Sequence, residues 1–290
     1  MMALGLIGGA ALSFVALAFV FWPLEKTWAA RPGQPLLRPA FRTDLAYFVA
    51  QYLVFAPLAL YFLQSVKALC HVDALTGLQA AVARQPWWLQ ALEAVVLCDV
   101  LVYGFHRLCH RVDFLWRFHA VHHSAEHLDW LAAHREHPVD GLLTQLAVNL
   151  PALLMGFPLE TLAMLIAFRG MWALFIHSNV RLPLGPLGFL LGSPELHHWH
   201  HARERHTRHN FGNLAPWTDW LFGTYHRPTG PEQYPLGLVE PFPRRFLAQL
   251  CSPVTRPADS EGPGPSAAPV TPPSRPGVES ARPGTSPRWH

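Results

Sequence analysis

Histidine is the residue whose placement in this chain most directly suggests chemistry. Fifteen of the 18 histidines fall between residues 106 and 209. Many of them are three or four residues apart, a spacing that puts side chains on one face of a helix. Three clusters can therefore each direct two or three imidazoles toward one point: His106 and His110; His119, His122 and His123; His197, His200 and His201.

Metal binding is the chemistry that this pattern predicts. One histidine at a helix end is commonly a structural, hydrogen-bonded side chain, but packing gives no reason to repeat such a cluster three times. Neutral imidazole binds zinc, copper, iron and nickel. A zinc site takes three or four protein ligands, and the clusters together with the lone His177 offer more. The number of candidate ligands therefore favours two metal ions.

The elements that must position these histidines are membrane helices. The chain is 51% hydrophobic and only 14% charged, and about 20 apolar residues suffice to cross a bilayer as a helix. The sequence predicts an all-α fold, a polytopic membrane helical bundle of about four to five spans with a hairpin at Pro158. The predicted spans are residues 3–22, 45–63, 87–105, 141–157 and 159–177.

Basic residues predict the orientation of these spans. Cytoplasmic loops carry an excess of lysine and arginine, which places residues 23–44 in the cytoplasm and the N-terminus outside. Counting spans forward brings both histidine-rich segments to the cytoplasmic side as a cytosolic histidine-rich helical cap. The residues compared are Lys26, Arg31, Arg38 and Arg42 in the first loop, and Lys67 and Arg84 in the second.

The rest of the chain limits the remaining possibilities. Residues 1–251 are predicted to form one membrane domain with its histidine core at 99–228, and the proline-rich residues 252–290 a disordered tail. A net charge of +3, with basic residues in loops rather than in a groove interleaved with aromatic residues, gives nucleic-acid binding no support. The four cysteines form no C-x-x-C pair, which fits a reducing compartment.

Two carboxylates are candidates for holding the metal ligands in place. Asp99 precedes His106 by seven residues, two helical turns, and an ionisable group within a span is functional by default. Because metal-bound imidazoles commonly donate their other N–H to a carboxylate, Asp99 is predicted to bond His106 or His110. Asp219 follows the last cluster and could act similarly, although an N-cap or a surface salt bridge accounts for it equally well.

The residues around the histidines resemble the fatty acid hydroxylase/sterol desaturase superfamily. The matching phrases are, in order, DVLVYGFHRLCH, WRFHAVHHSAEHLDW, REHPVDG, FIHSNV, SPELHHWHH and NFGNLAPWTDWLFGTYHRP, within residues 99–228. The resemblance implies a helical membrane protein whose cytosolic cap holds a histidine-ligated, non-haem di-iron centre. It also implies O2-dependent hydroxylation or desaturation of a lipid such as a sterol or fatty acyl chain.

The resemblance also assigns residues and partners. The chain has no flavin, Rossmann or iron–sulfur motif, so electrons are expected from an external ferredoxin or cytochrome with its reductase. Four further histidines, His134, His198, His206 and His209, are expected to face away from the metals, and His137 is a lower-ranked candidate. The implied iron ligands are His106, His110, His119, His122, His123, His177, His197, His200 and His201.

Other classes of protein stay open at this point. A metal transporter or metal-buffering protein would also use histidines, although transporters place their ligands near the membrane midplane. A bis-histidine haem carrier needs single histidines on facing spans, and an inactive member of the superfamily would keep the same motifs. The substrate is also open, since HPVDG resembles sterol desaturases and HHSAE resembles ether-lipid-cleaving and bacterial members.

Overall fold

Helices form nearly all the regular structure of this chain. The computed structural model describes residues 2–69, 73–182, 184–203, 208–228 and 230–255, where the only β-pairing is two isolated bridges. The predicted all-α fold is confirmed. In chain order the α-helices are α1 Met2–Thr27, α2 Phe41–Ala50, α3 Ala56–Leu69, α4 Thr76–Ala83, α5 Trp87–Cys109, α6 Asp113–His123, α7 Pro138–Leu154, α8 Leu159–His177, α9 Pro194–His200, α10 Trp217–Leu221 and α11 Phe246–Thr255.

Among the described residues, four stretches are long and apolar enough to cross a membrane: Gly5–Thr27, Phe41–Val66, Trp87–Cys109 and Glu160–His177. The second joins α2 to α3 through a π-helical turn, Gln51–Phe55. The predicted hairpin corresponds to α7 and α8; α7 has 17 residues and is therefore about 26 Å long. The polytopic bundle is thus confirmed, and α5 extends four residues beyond its predicted end, which makes His106 part of the helix.

Helices α1, α5 and α8 have their carboxyl ends at the same end of the bundle. This end is called the histidine end, because His106 and His177 lie there. The backbone just after α1 bonds the backbone just after α8, Arg181 N to Trp28 O at 2.7 Å and Ala30 N to Asn179 O at 3.2 Å. The connection between α1 and α2 therefore lies beside the histidines.

Helix α5 is the central helix that places the first histidine cluster. Its Ala94 and Cys98 are fully buried against α7 and α8, where Ala152 and Leu162 meet them. Small residues allow such helices to approach closely. Leu214, from the segment before α10, completes the same core, so the histidine end is built directly onto α5.

The last helix changes the expected end of the ordered domain. Helix α11 runs through Thr255 and buries Ser252 and Pro253, beyond the predicted limit at residue 251. The remainder of the predicted tail lies outside the described residues.

Candidate metal centre

The nine histidines predicted as ligands come together in two groups at the histidine end. Within each group, one nitrogen from every ring lies within 4.8 Å of the others. The first group is His106, His110, His119, His123 and His200, and the second group is His122, His177, His197 and His201.

The short helices α6 and α9 supply residues to both groups. On α6, His119 and His123 lie four residues apart and face the first group, while His122 faces the second. On α9, His200 belongs to the first group, whereas His197 on the same helix and His201 just after it belong to the second group. The two groups adjoin one another: the rings of His123 and His201, one from each group, stack with centroids 4.4 Å apart.

Backbone carbonyls fix the protonation of two rings in the first group. Nδ1 of His106 lies 2.9 Å from Phe211 O, and Nδ1 of His200 lies 2.7 Å from His209 O. A carbonyl can only accept, so each Nδ1 carries the proton and each Nε2 carries a lone pair. Both Nε2 atoms are buried without a hydrogen-bond partner, as the open ligand positions of a metal site would be.

A carboxylate performs the same task for His119. Nδ1 of His119 lies 2.9 Å from Oδ2 of Asp140, and the Cys109 thiol lies 3.9 Å from Oδ1. The Nε2 atom of His119 is again buried and unpartnered. Asp140 follows Pro138 in the first turn of α7, so the start of that helix holds a first-group ring in place.

The second group brings lone pairs face to face. Nδ1 of His122 donates to Arg135 O at 3.0 Å, and Nδ1 of His177 donates to Ala173 O at 2.7 Å. The Nε2 atoms of these two rings, which then both carry lone pairs, lie only 3.1 Å apart. His197 Nε2 is 2.9 Å from His177 Nε2. Two acceptors at this distance repel unless a cation lies between them.

Burial keeps six imidazoles of the two groups, all outside the spans, neutral at pH 7. Burial lowers the pKa of His200 to about 3. Burial, with the neighbouring imidazoles adding to it, also lowers the pKa of five others well below the ordinary 6.5: His110, His122, His123, His197 and His201. Neutral rings with fixed tautomers and inward lone pairs suit a divalent transition metal, so the residues present fit two metal ions.

Asp99 does not bond a histidine, which corrects the prediction made for it. Its Oδ1 accepts instead from the backbone N–H of Leu214 at 3.3 Å, and His106 bonds the Phe211 carbonyl. The Asp99 carboxylate therefore holds the segment that contains both Leu214 and Phe211. It supports His106 only indirectly, through the Phe211 carbonyl of that segment.

Asp219 and His137 also act through the backbone. Asp219 accepts from the N–H groups of Phe211 and Gly212 at 2.8 and 2.7 Å and from the hydroxyl of Thr224 at 2.7 Å. His137 caps α7, where its Nδ1 accepts from Val139 N, and its Nε2 bonds Leu250 O of α11 at 3.1 Å. Neither side chain belongs to the two groups.

The extra histidine of the last cluster faces away from both groups. Nδ1 of His198 lies 2.7 Å from Glu232 Oε2, and its Nε2 lies 3.1 Å from Ser178 O. His134 contacts the Phe48 ring instead, with centroids 4.9 Å apart. His209 contributes its carbonyl to His200, and His206 lies outside the described residues.

Sequence reasoning missed two residues, Asp140 and Arg135. Both stand in the phrase REHPVDG, which was noted for its resemblance and for His137 alone. Asp140 carried a usable signal, because a carboxylate in the first turn of a helix beside histidine clusters is a candidate partner for an imidazole. Arg135 had none, since it acts on His122 through its carbonyl.

The fold and the site define a class: a helical membrane protein whose span ends and cap helices gather histidines into two adjoining metal-type groups. The chain belongs to the fatty acid hydroxylase family. Residues 91–224 match the sequence model of that family. The ornithine lipid hydroxylase OlsE of Rhizobium tropici is 31% identical over 255 residues, covering 84% of this chain and 74% of the relative.

Shorter similarities extend to two other kinds of enzyme. The alkylglycerol monooxygenase of Danio rerio is 31% identical over 56% of this chain, and this chain covers 36% of that relative. A putative Delta(7)-sterol-C5(6)-desaturase 2 of Arabidopsis thaliana is 28% identical over 46% of this chain and 47% of the relative. No solved structure matches the chain. The relatives are lipid hydroxylases, monooxygenases and desaturases, which supports lipid oxidation.

Proposed function

We propose that this protein is an O2-dependent, di-iron membrane oxidoreductase that hydroxylates a lipid C–H bond with electrons from an external donor. The observation that carries the proposal is the pair of adjoining groups of neutral histidines, above all the facing lone pairs of His122 and His177. Desaturation begins with the same hydrogen abstraction and is the alternative outcome at this site.

One iron would be held by the first group and one by the second. Bound iron would supply the redox chemistry with O2 that an unactivated C–H bond requires and that zinc lacks. The protein contributes geometry: His106, His119 and His200 have their rings fixed from behind by Phe211, Asp140 and His209. Burial of the rings keeps solvent from the nitrogens that face the centre.

An ornithine-type lipid is the first substrate to test. The relative that acts on such a lipid matches along 84% of this chain and 74% of its own length, whereas the alkylglycerol and sterol enzymes match along 56% and 46% of this chain. This difference favours hydroxylation of an amino-acid-containing membrane lipid over sterol desaturation.

The histidine end is proposed to face the cytoplasm, where a ferredoxin or a cytochrome with its reductase would deliver electrons. Arg38 is buried in ion pairs, which weakens its use in the charge comparison. The connections at the histidine end still carry more basic residues than those at the opposite end, which hold only Lys67 and Arg84. An excess of basic residues is typical of the cytoplasmic side. The basic residues at the histidine end include Lys26, Arg31, Arg42, Arg107, Arg111 and Arg117.

Metal content and lipid products test the proposal together. Protein from iron-replete cells is purified in detergent and its metals are measured by elemental analysis, for the wild type and for His122→Ala and His200→Ala. The control is His127→Ala, because His127 lies outside both groups. Lipids from cells that make ornithine lipid, with and without the protein, are compared by mass spectrometry for the gain of one oxygen atom.

About two irons per chain, a loss of iron in both ligand variants and an oxygenated ornithine lipid are the expected results. Zinc alone, even after reconstitution with ferrous iron, would instead indicate a structural or metal-handling role. Bound iron without any lipid oxidation would indicate an inactive member of the family. Full iron retention in both ligand variants would overturn the ligand assignment.

A further inference from the structure

Arg135 is bonded at both of its ends to the helix that carries the second cluster of histidines. Its carbonyl accepts from Nδ1 of His122 at 3.0 Å. Its guanidinium donates to Ser124 O at 3.1 Å, and Ser124 caps the carboxyl end of α6 directly after His123. One buried residue therefore holds both an imidazole and the helix end beside it.

The same guanidinium is anchored to a membrane span. Nε of Arg135 donates to Oδ1 of Asp44 on α2 at 2.6 Å, and the other oxygen of Asp44 accepts from Arg38 at 2.7 Å. Arg38 in turn forms a two-bond pair with Asp129, Nε to Oδ2 at 2.7 Å. These four side chains are buried and carry two charges of each sign, which matches the pairing that buried charges require.

The network pins the segment between α6 and α7 at two points. Asp129 holds its middle, where Oδ1 also accepts from Ala132 N at 2.8 Å, and Arg135 holds its end. Because both anchors lead to α2 and the residues before it, the position of the Arg135 carbonyl depends on contacts outside the segment. The tautomer of His122 depends on that carbonyl.

We propose that Arg135 is a positioning residue of the second group: its guanidinium clamps the carboxyl end of α6 to Asp44 of α2 and so holds its carbonyl against Nδ1 of His122. The inference rests on the proposed function, in which His122 is a metal ligand. It adds that a residue without a ligand atom, tied to the second membrane span, sets the geometry of one of the two metal positions.

Because the guanidinium of Arg135 is planar and donates several hydrogen bonds at once, its contacts with Asp44 and Ser124 can be tested without removing its positive charge. Lysine keeps the positive charge but cannot bond Asp44 and Ser124 together in the same planar arrangement. Arg135→Lys should therefore loosen the carbonyl, while the first group keeps its own anchors at Phe211, His209 and Asp140. Asp44→Asn is the second variant, since it weakens the clamp from the other side.

The experiment measures metal affinity of metal-free, full-length protein in detergent, titrated with Co2+, whose visible spectrum reports coordination geometry. His122→Ala identifies which of the two binding events belongs to the second group. Arg203→Lys is the matched control, because Arg203 forms a surface ion pair with Glu126 at 3.4 Å. Thermal unfolding of each metal-free variant reports the fold separately.

Arg135→Lys should weaken the Co2+ binding event assigned to the second group roughly 10- to 100-fold, the usual effect of losing a contact behind a ligand. If Arg135→Lys fails to fold, Asp44→Asn should show the same weakening. The spectrum of that event should change while the first event and the control stay as in the wild type. Unchanged binding of both ions would overturn the inference. Equal weakening of both events with a lower melting temperature would show a purely structural role. If His122→Ala loses neither event, the ligand set itself is wrong, and the failure then lies with the proposed function.

Discussion

Ring protonation is the property of single residues that decides what this centre can bind. Most Nδ1 atoms with a partner face neutral backbone carbonyls, as in His106 and His200. His119 differs because its partner is the carboxylate of Asp140. An anionic partner makes the ring a stronger electron donor and favours its metal-bound form, so Asp140 has an energetic role as well as an orienting one.

Replacing Asp140 by asparagine should weaken metal binding at the first group by roughly 10- to 100-fold. The amide oxygen can still accept from Nδ1 of His119, but the negative charge is lost. Chelator competition on the metal-loaded protein measures the change. The control is Asp113→Asn, an exposed acid in the first turn of α6. Equal chelator resistance of the two variants would show that the charge of Asp140 has no part in metal binding.

The segment between α9 and α10 is the element that connects the cap to α5. Asp219 gathers the N–H groups of Phe211 and Gly212, and the Phe211 carbonyl then reaches His106. Burial raises the pKa of Asp219, and its hydrogen bonds oppose that rise. Gly212 has no room for a side chain, because a Cβ there would lie 2.6 Å from Ala215 O and 2.9 Å from Oδ2 of Asp219.

Gly212→Ala should therefore displace the Phe211 carbonyl and loosen His106. We expect a loss of about 1–3 kcal/mol in stability, as for other overpacked sites, and weaker metal retention by the first group. Melting temperature and metal content measure the two effects. Gly104→Ala on α5 is the control, since a Cβ there meets nothing within 4 Å. Wild-type behaviour of Gly212→Ala would mean that the segment can shift without moving the ligand.

At the scale of the whole molecule, the burial of many neutral imidazoles makes the metal-free fold sensitive to acid. Six of them, all outside the spans, have a pKa lowered by burial: His110, His122, His123, His197, His200 and His201. The unfolded chain takes up protons near the ordinary value of about 6.5, while the folded chain does not. Stability therefore rises with pH in this range and falls below it.

The melting temperature of the metal-free protein should drop steeply between pH 6.5 and 5.5. Each such histidine contributes up to about 1.4 kcal/mol per pH unit below 6.5. Two carboxyl groups outside the spans oppose the trend: burial and then Asp140 raise the pKa of Glu136 to about 8, and burial raises the pKa of Asp219. They are two groups against six. Thermal unfolding in detergent at a series of pH values tests this. A melting temperature that holds or rises on acidification would contradict the neutral, buried state of the rings.

The sequence by itself determined the helical bundle with its apolar spans and the presentation of the histidines on helices, and it predicted a metal site. These features follow from local patterns: uncharged runs long enough to span a bilayer and imidazoles three or four residues apart. Such patterns depend only on helix geometry and on the solvent around the helix, so they can be read without knowing any long-range contact. The nine candidate ligands could be named in this way and through the family resemblance.

The tertiary structure alone decided how the histidines divide and what holds them. The separation of His122 from its neighbour His123 into different groups depends on which other histidines the fold brings beside each ring, His200 beside His123 and His177 and His197 beside His122. Carbonyl partners such as Phe211 and Arg135 have no side-chain signature, because every residue has a carbonyl. Asp99 was assigned to the wrong partner for the same reason: the Leu214 N–H that it binds is 115 residues away, and only the folded chain brings the two together.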